Sequence, residues 1–162
     1  MRYTTSAISV FGDGAGYAIG SIEGRCGIVN IDLNNITAID QRDFCFKCHR
    51  KEGQSSASSS EKQDDIYTVN CVAFNKLYNT FVSAGSDGQW CTWNKDTKSR
   101  YKQSNKSSHP ITAASFSDDS AILIHCHGED WSLGGGNKNG PPNIIKIVVR
   151  KCEKDDVFKP KK

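Results

Sequence analysis

No stretch of this sequence stays apolar for the ~20 residues that a membrane-spanning helix needs, and the polar start Met1-Arg2-Tyr3-Thr4-Thr5 does not read as a secretory leader. Neither sign of charge dominates. The formal net charge is +3, a mild basicity that permits contact with nucleic acid without arguing for it. No run holds the 3.6-residue periodicity of an amphipathic helix. A second Cys-x-x-Cys is missing, and the seven cysteines are an odd number scattered through strand-like runs. They read as reduced thiols of the cytosol or nucleus, behaving as small hydrophobes. The composition is not that of a disordered chain: 36% hydrophobic and 24% charged over 162 residues are ordinary for a folded domain with one core.

What is present is a series of short strands rich in β-branched and aromatic residues, punctuated by Gly, Asp, Asn and Ser. They recur as a unit. The clearest copy runs from Tyr67 to Gln103, with strands expected at 67–74, 80–84, 89–94 and 99–103. Asp87-Gly88 lies between two apolar runs, a hairpin signal because both residues tolerate the positive φ of a tight turn. An earlier copy offers strands at 6–11, 17–21, 25–30 and 43–48. A later one offers 111–116, 121–125 and 144–150, with no fourth strand after it. Phe74 and Phe116 hold matching places 42 residues apart, within the ~40–45-residue period of WD repeats.

The expected fold is therefore all-β, a partial WD-repeat β-propeller. It would hold three four-stranded blades of a larger ring, the last without its outer strand. The organisation expected is a first blade at 1–52, a Ser-rich surface loop at 53–65, a second blade at 66–105 and a third at 106–150. The third carries a Gly/Asn/Pro loop at 130–143, and a basic tail at 151–162 follows. Three blades are too few to close a ring of ~4–8. The chain thus reads as part of a longer propeller, and alone it would self-associate through open blade edges.

Several stretches resemble one WD-repeat family, the mRNA export factors of the nuclear pore. They are Gly16-Tyr17-Ala18-Ile19-Gly20-Ser21-Ile22-Glu23-Gly24-Arg25, Phe44-Cys45-Phe46-Lys47-Cys48-His49-Arg50, Asp65-Ile66-Tyr67-Thr68-Val69-Asn70, Gly85-Ser86-Asp87-Gly88 and Pro110-Ile111-Thr112-Ala113. The related spindle-checkpoint propeller, which partners checkpoint kinases, shares Ile-Glu-Gly-Arg and Phe-Lys-Cys-His-Arg. Trp93-Asn94-Lys95-Asp96 and Asp130-Trp131-Ser132 favour the export factors.

The resemblance implies that these are the C-terminal three blades of a seven-bladed propeller, and a non-enzymatic adaptor in the nucleus and nuclear envelope that shuttles to the cytoplasm. Its partners would be the GLEBS segment of an FG-nucleoporin and RNA or ribonucleoprotein, with checkpoint kinases as the alternative. No cofactor is implied. The family's peptide-facing arginines match Arg25 and Arg50, whose planar forks suit carboxylates. Its aromatic and basic rim matches Phe46, Trp93, Lys95 and Lys98, with Arg100 nearby. Rings of this kind stack on unpaired bases while the cations neutralise phosphates. Thr97-Lys98 stands where the family usually carries Arg two residues after Lys-Asp.

Other patterns have plainer readings. Cys45-Phe46-Lys47-Cys48-His49 spells a haem-attachment motif, but residues three apart on a strand face opposite sides. Zinc held by these cysteines with His125, Cys126 and His127 lacks the paired spacing of such sites. Gly12-Asp13-Gly14-Ala15-Gly16 precedes a strand, with no helix to receive a phosphate, and reads as a turn. Asp87 is expected to orient its own turn through backbone N–H groups, and His49 to do likewise at the blade boundary. Trp93 has two readings, packing between blades or stacking at the rim.

Overall fold

The computed structural model describes residues 4–32, 42–53, 64–132, 134 and 145–157. The Ser-rich loop at 54–63, most of the Gly/Asn/Pro loop and the terminal lysines lie outside the described residues. The first sheet is antiparallel and four-stranded, built from β1 (Thr5–Val10), β2 (Gly16–Ser21), β3 (Arg25–Asn30) and β4 (Phe44–Lys47) in that order. The short strands β5 (Arg50–Lys51) and β6 (Asp65–Ile66) pair with each other at the junction to the second sheet. That sheet contains β7 (Val69–Phe74), β8 (Thr80–Gly85), β9 (Trp90–Asn94) and β10 (Ser99–Gln103). The third has β11 (Ile111–Phe116), β12 (Ile122–His127) and β13 (Lys146–Lys151), followed by one helical turn, α1 (Lys154–Val157). This is the all-β, partial propeller that the repeat implied. Among the described residues, no fourth strand pairs with β13.

The sheets repeat one another in detail. In each, the pairing of first and second strands shifts at the same point, between Thr5 and Ala7, Val69 and Cys71, and Ile111 and Ala113. A bulge adds local twist to a strand pair, so its recurrence gives each sheet the same shape and lets them stack. The stack shows in the alternation along β8, where successive side chains point to opposite faces. Phe81 packs toward the first sheet with Phe11, Ala18, Cys26, Ile28 and Phe74. Val82 and Ala84 pack toward the third with Trp90, Ile111 and Leu123. Both faces of the second sheet are thus covered, and β8 is buried along its whole length.

The Asp87-Gly88 turn forms as the sequence indicates. Gly88 has φ 74°, and a Cβ there would meet the Ser107 carbonyl at 2.6 Å. A positive φ next to backbone leaves glycine as the fitting residue. The segment after β13 is less solvated than its polarity suggests. Asp156 of α1 is buried, takes hydrogen bonds from Lys102 of β10 and from Arg150 of β13, and so ties the third sheet to the outer strand of the second. Burial alone would raise the Asp156 pKa, but these two cations hold it below the usual carboxylate value. Asp130 does similar work at the other end. It accepts from Asn70 at 3.0 Å and from Ser86, joining the end of β12 to the second sheet.

Candidate interaction surface

The surface around the predicted site is built on a buried polar chain that crosses from the first sheet to the second. His49 sits just after β4 with φ 47°. Its Nδ1 lies 2.9 Å from both carboxylate oxygens of Asp87, and its Nε2 lies 2.8 Å from Ser83 Oγ. Trp93 Nε1 donates to the same Oγ at 2.8 Å. Asp87 also accepts from the Gln89 N–H, so it orients its own turn as expected. The histidine does something different from the expectation: its ring binds side chains, while its backbone carbonyl accepts the Tyr67 N–H. Serine, histidine and aspartate at such spacing resemble a hydrolytic triad in outline. Ser83 is wholly buried and already holds a donor from Trp93, so the hydroxyl has no access to a substrate carbonyl. The chain fixes Trp93, and Trp93 then supports the surface.

Phe44 and Phe46 lie two apart on β4, on the same face. Phe46 packs on Trp93 with ring centroids 4.7 Å apart and reaches Phe81 beneath. Cations sit on these rings. Lys98 Nζ is 4.6 Å from the Phe44 centroid, and the Arg100 guanidinium is 5.9 Å from that of Trp93. Lys95 lies over Phe11 at 4.8 Å and pairs with Asp96 at 3.0 Å. Such contacts hold a cation against an apolar surface and leave its outer hydrogens for a partner. Trp93 thus packs against the core while its ring stays partly exposed.

Two clefts flank this ridge. One of about 370 Å³ is lined by Ile28, Asn30, Phe44, Lys95, Asp96 and Lys98, with Arg42 at its wall. The other, about 250 Å³, has Arg50, Trp93 and Arg100 in its lining, with Lys47, Glu52 and Asp87. The structure therefore brings Phe46, Trp93, Lys98 and Arg100 together, with Lys95 in the first cleft and Arg50 in the second. Arg25 and Arg50 converge on the β2–β3 turn. Arg50 donates from Nη2 to the Glu23 carbonyl at 2.7 Å and from Nε to that of Gly24 at 3.3 Å. Arg25 Nε lies 3.5 Å from the Glu23 carboxylate and stays one-third exposed.

Beneath them, Cys26 and Cys48 lie with sulfurs 3.6 Å apart, both buried. The hydrogen bond with Cys26, followed by burial, pushes the Cys48 thiol far up. Cys91 is pushed up to about 12, chiefly by burial. Cys45 is exposed on the opposite side from Cys48, as strand alternation requires.

Phe44 and Ser83 are the residues that reading for site chemistry passed over. Phe44 carries the two-residue alternation with Phe46. Ser83 offers no local sign of its role, because its partners come from 34 and 10 positions away.

No family model matches the chain. Individual relatives do. The chain is 37% identical over 164 residues to the poly(A)+ RNA export protein of Schizosaccharomyces pombe, an alignment covering 100% of this chain and 43% of the relative. It is 34% identical over 167 residues to the mRNA export factor rae-1 of Caenorhabditis elegans, covering 100% and 42%. It is 32% identical over 157 residues to the WD40 repeat protein poxJ of Penicillium oxalicum, covering 97% and 42%. Along its whole length the chain is similar to WD-repeat mRNA export factors. It spans less than half the length of these curated relatives. The similarity to the export factors runs through all three sheets, and so includes both clefts and the ridge between them.

Proposed function

We propose that this chain serves mRNA export as a non-catalytic docking module in the nucleus, at the nuclear pore. A GLEBS peptide of an FG-nucleoporin would lie beside Arg25 and Arg50. RNA or ribonucleoprotein would lie along the ridge of Phe46, Trp93, Lys98 and Arg100 and enter the cleft at Lys95. The observation that carries this reading is similarity along the whole chain to proteins whose names state RNA export. The geometry supports it in a second way. Aromatic edges bearing cations favour unpaired bases and phosphates of any sequence. An arginine already held by backbone carbonyls, as Arg50 is, presents its remaining N–H groups in a fixed direction and loses little entropy on meeting a carboxylate.

The test is a titration of the protein with two labelled probes, a short single-stranded RNA and a GLEBS peptide. Lys98→Glu should weaken RNA binding by roughly 5–10-fold and flatten its salt dependence, since one phosphate contact on a single strand contributes a slope of ~0.7. Arg25→Ala should weaken the peptide and leave the RNA unchanged. RNA affinity unaltered by Lys98→Glu refutes the ridge as the RNA site, and binding of neither probe refutes the proposal.

A further inference from the structure

WD repeats take their name from a Trp-Asp pair, and at that place the second sheet carries Trp93-Asn94. Asn94 ends β9 and opens the turn into β10. Its Oδ1 accepts the backbone N–H groups of Asp96 at 2.9 Å and of Thr97 at 2.8 Å. An aspartate would accept the same two bonds, and as an ion it would accept them more strongly. The turn by itself therefore gives no preference for the amide. What the amide changes is charge.

The same turn holds Lys98 in an unusual conformation. Its φ is 54°, a left-handed backbone that suits glycine and costs a residue with a side chain. The lysine kept there rests its Nζ 4.6 Å from the Phe44 centroid. Lys95, at the start of the turn, pairs with Asp96, whose other oxygen accepts Asn79 Nδ2 at 2.8 Å. In the lining of the larger cleft, Arg42, Lys95 and Lys98 thus stand against one acid among the described residues, Asp96. An aspartate in place of Asn94 would add a second acid to the turn. Its oxygen would lie 2.8 Å from the Thr97 nitrogen, one residue before Lys98. A charge there acts on the ridge over a distance comparable with the ~10 Å screening length of 0.1 M salt.

We infer that Asn94 sets the affinity of this ridge for single-stranded RNA: its amide closes the turn that presents Lys98 and keeps a carboxylate away from the phosphates. This rests on the proposed reading of the ridge as an RNA site. Asn94 is thus a positioning residue whose neutrality matters as much as its hydrogen bonds.

Fluorescence anisotropy with a short labelled single-stranded RNA, repeated over a salt series, tests it, with circular dichroism and urea unfolding confirming the fold of each variant. Asn94→Asp should be as stable as the wild type and bind RNA ~2–5-fold more weakly, the difference shrinking as salt rises. Asp96→Asn removes an acid from the same turn and should bind ~2-fold more tightly, so the test stays decisive even where the first variant does not fold. Ser115→Asp makes the same change in net charge on an exposed site of β11 and should bind as the wild type does. A folded Asn94→Asp that binds like the wild type, a weakening matched by Ser115→Asp or indifferent to salt, or an Asp96→Asn without tighter binding overturns the inference. Where Lys98→Glu weakens RNA and Asn94→Asp does not, the inference falls and the ridge stands. Where neither alters binding, the ridge falls and the inference with it.

Discussion

Ser83→Ala removes a single oxygen and strands two partners. Trp93 Nε1 is only a donor, and it reaches Ser83 Oγ at 2.8 Å. His49 Nδ1 faces the Asp87 carboxylate and carries a proton there; in the neutral ring, Nε2 then accepts from the Ser83 hydroxyl at 2.8 Å. With both partners inside the protein, each orphaned group costs ~1–3 kcal/mol, and the partial exposure of Trp93 lowers its share. The expected loss is ~2–4 kcal/mol against a domain stability of ~5–15 kcal/mol. Urea unfolding followed by tryptophan fluorescence, at one fixed protein concentration, should place the midpoint lower by roughly 1–2 M for a slope near ~2 kcal/mol per M. Ser115→Ala, on an exposed site of β11, serves as the control and should stay within ~0.5 kcal/mol of the parent. A Ser83→Ala midpoint indistinguishable from that of Ser115→Ala would refute the claim that the chain from Asp87 to Trp93 holds the first two sheets together.

Gly88→Ala should lower the melting temperature through both its φ of 74° and the approach to the Ser107 carbonyl, costing at least ~1–2 kcal/mol in a thermal melt. His125 has its pKa lowered to about 4 by burial first, then by His127, Arg150 and Lys146. The unfolded ring titrates near ~6.5, so stability is full above that pH and falls as pH drops toward 4. His125→Asn should flatten this part of a stability-against-pH curve. Asp156→Ala leaves Lys102 and Arg150 without their shared carboxylate and should cost ~1–3 kcal/mol in urea unfolding. Because that carboxyl has its pKa held down in the fold, its contribution should disappear only below the usual aspartate range.

Local chemistry was legible in the sequence wherever a turn or an alternation carries it. Asp87-Gly88 marked its hairpin, Phe74 and Phe116 marked the period, and β10 runs from Ser99 to Gln103 as read. Strand ends were less legible. β12 continues to His127 beyond the expected His125, because His127 pairs with Ile111 on one side and Lys146 on the other. Pairings across long separations left no local mark. His49 finds Asp87 38 positions away, and Lys102 finds Asp156 54 away. The tail read as polar for the same reason: a lone Asp156 looks solvated until two sheets bring cations to it. Of the candidate surface, aromatic and basic residue types were visible, whereas the division into two clefts depends on how β4 meets β9.

The proposed role in RNA export is best measured in the protein's own cells. Depleting the protein and hybridising fixed cells with labelled oligo(dT) reports where polyadenylated RNA resides. The account predicts nuclear accumulation that is reversed by the wild-type gene and not by one carrying Trp93→Ala with Lys98→Glu. Polyadenylated RNA distributed as in untreated cells would contradict it.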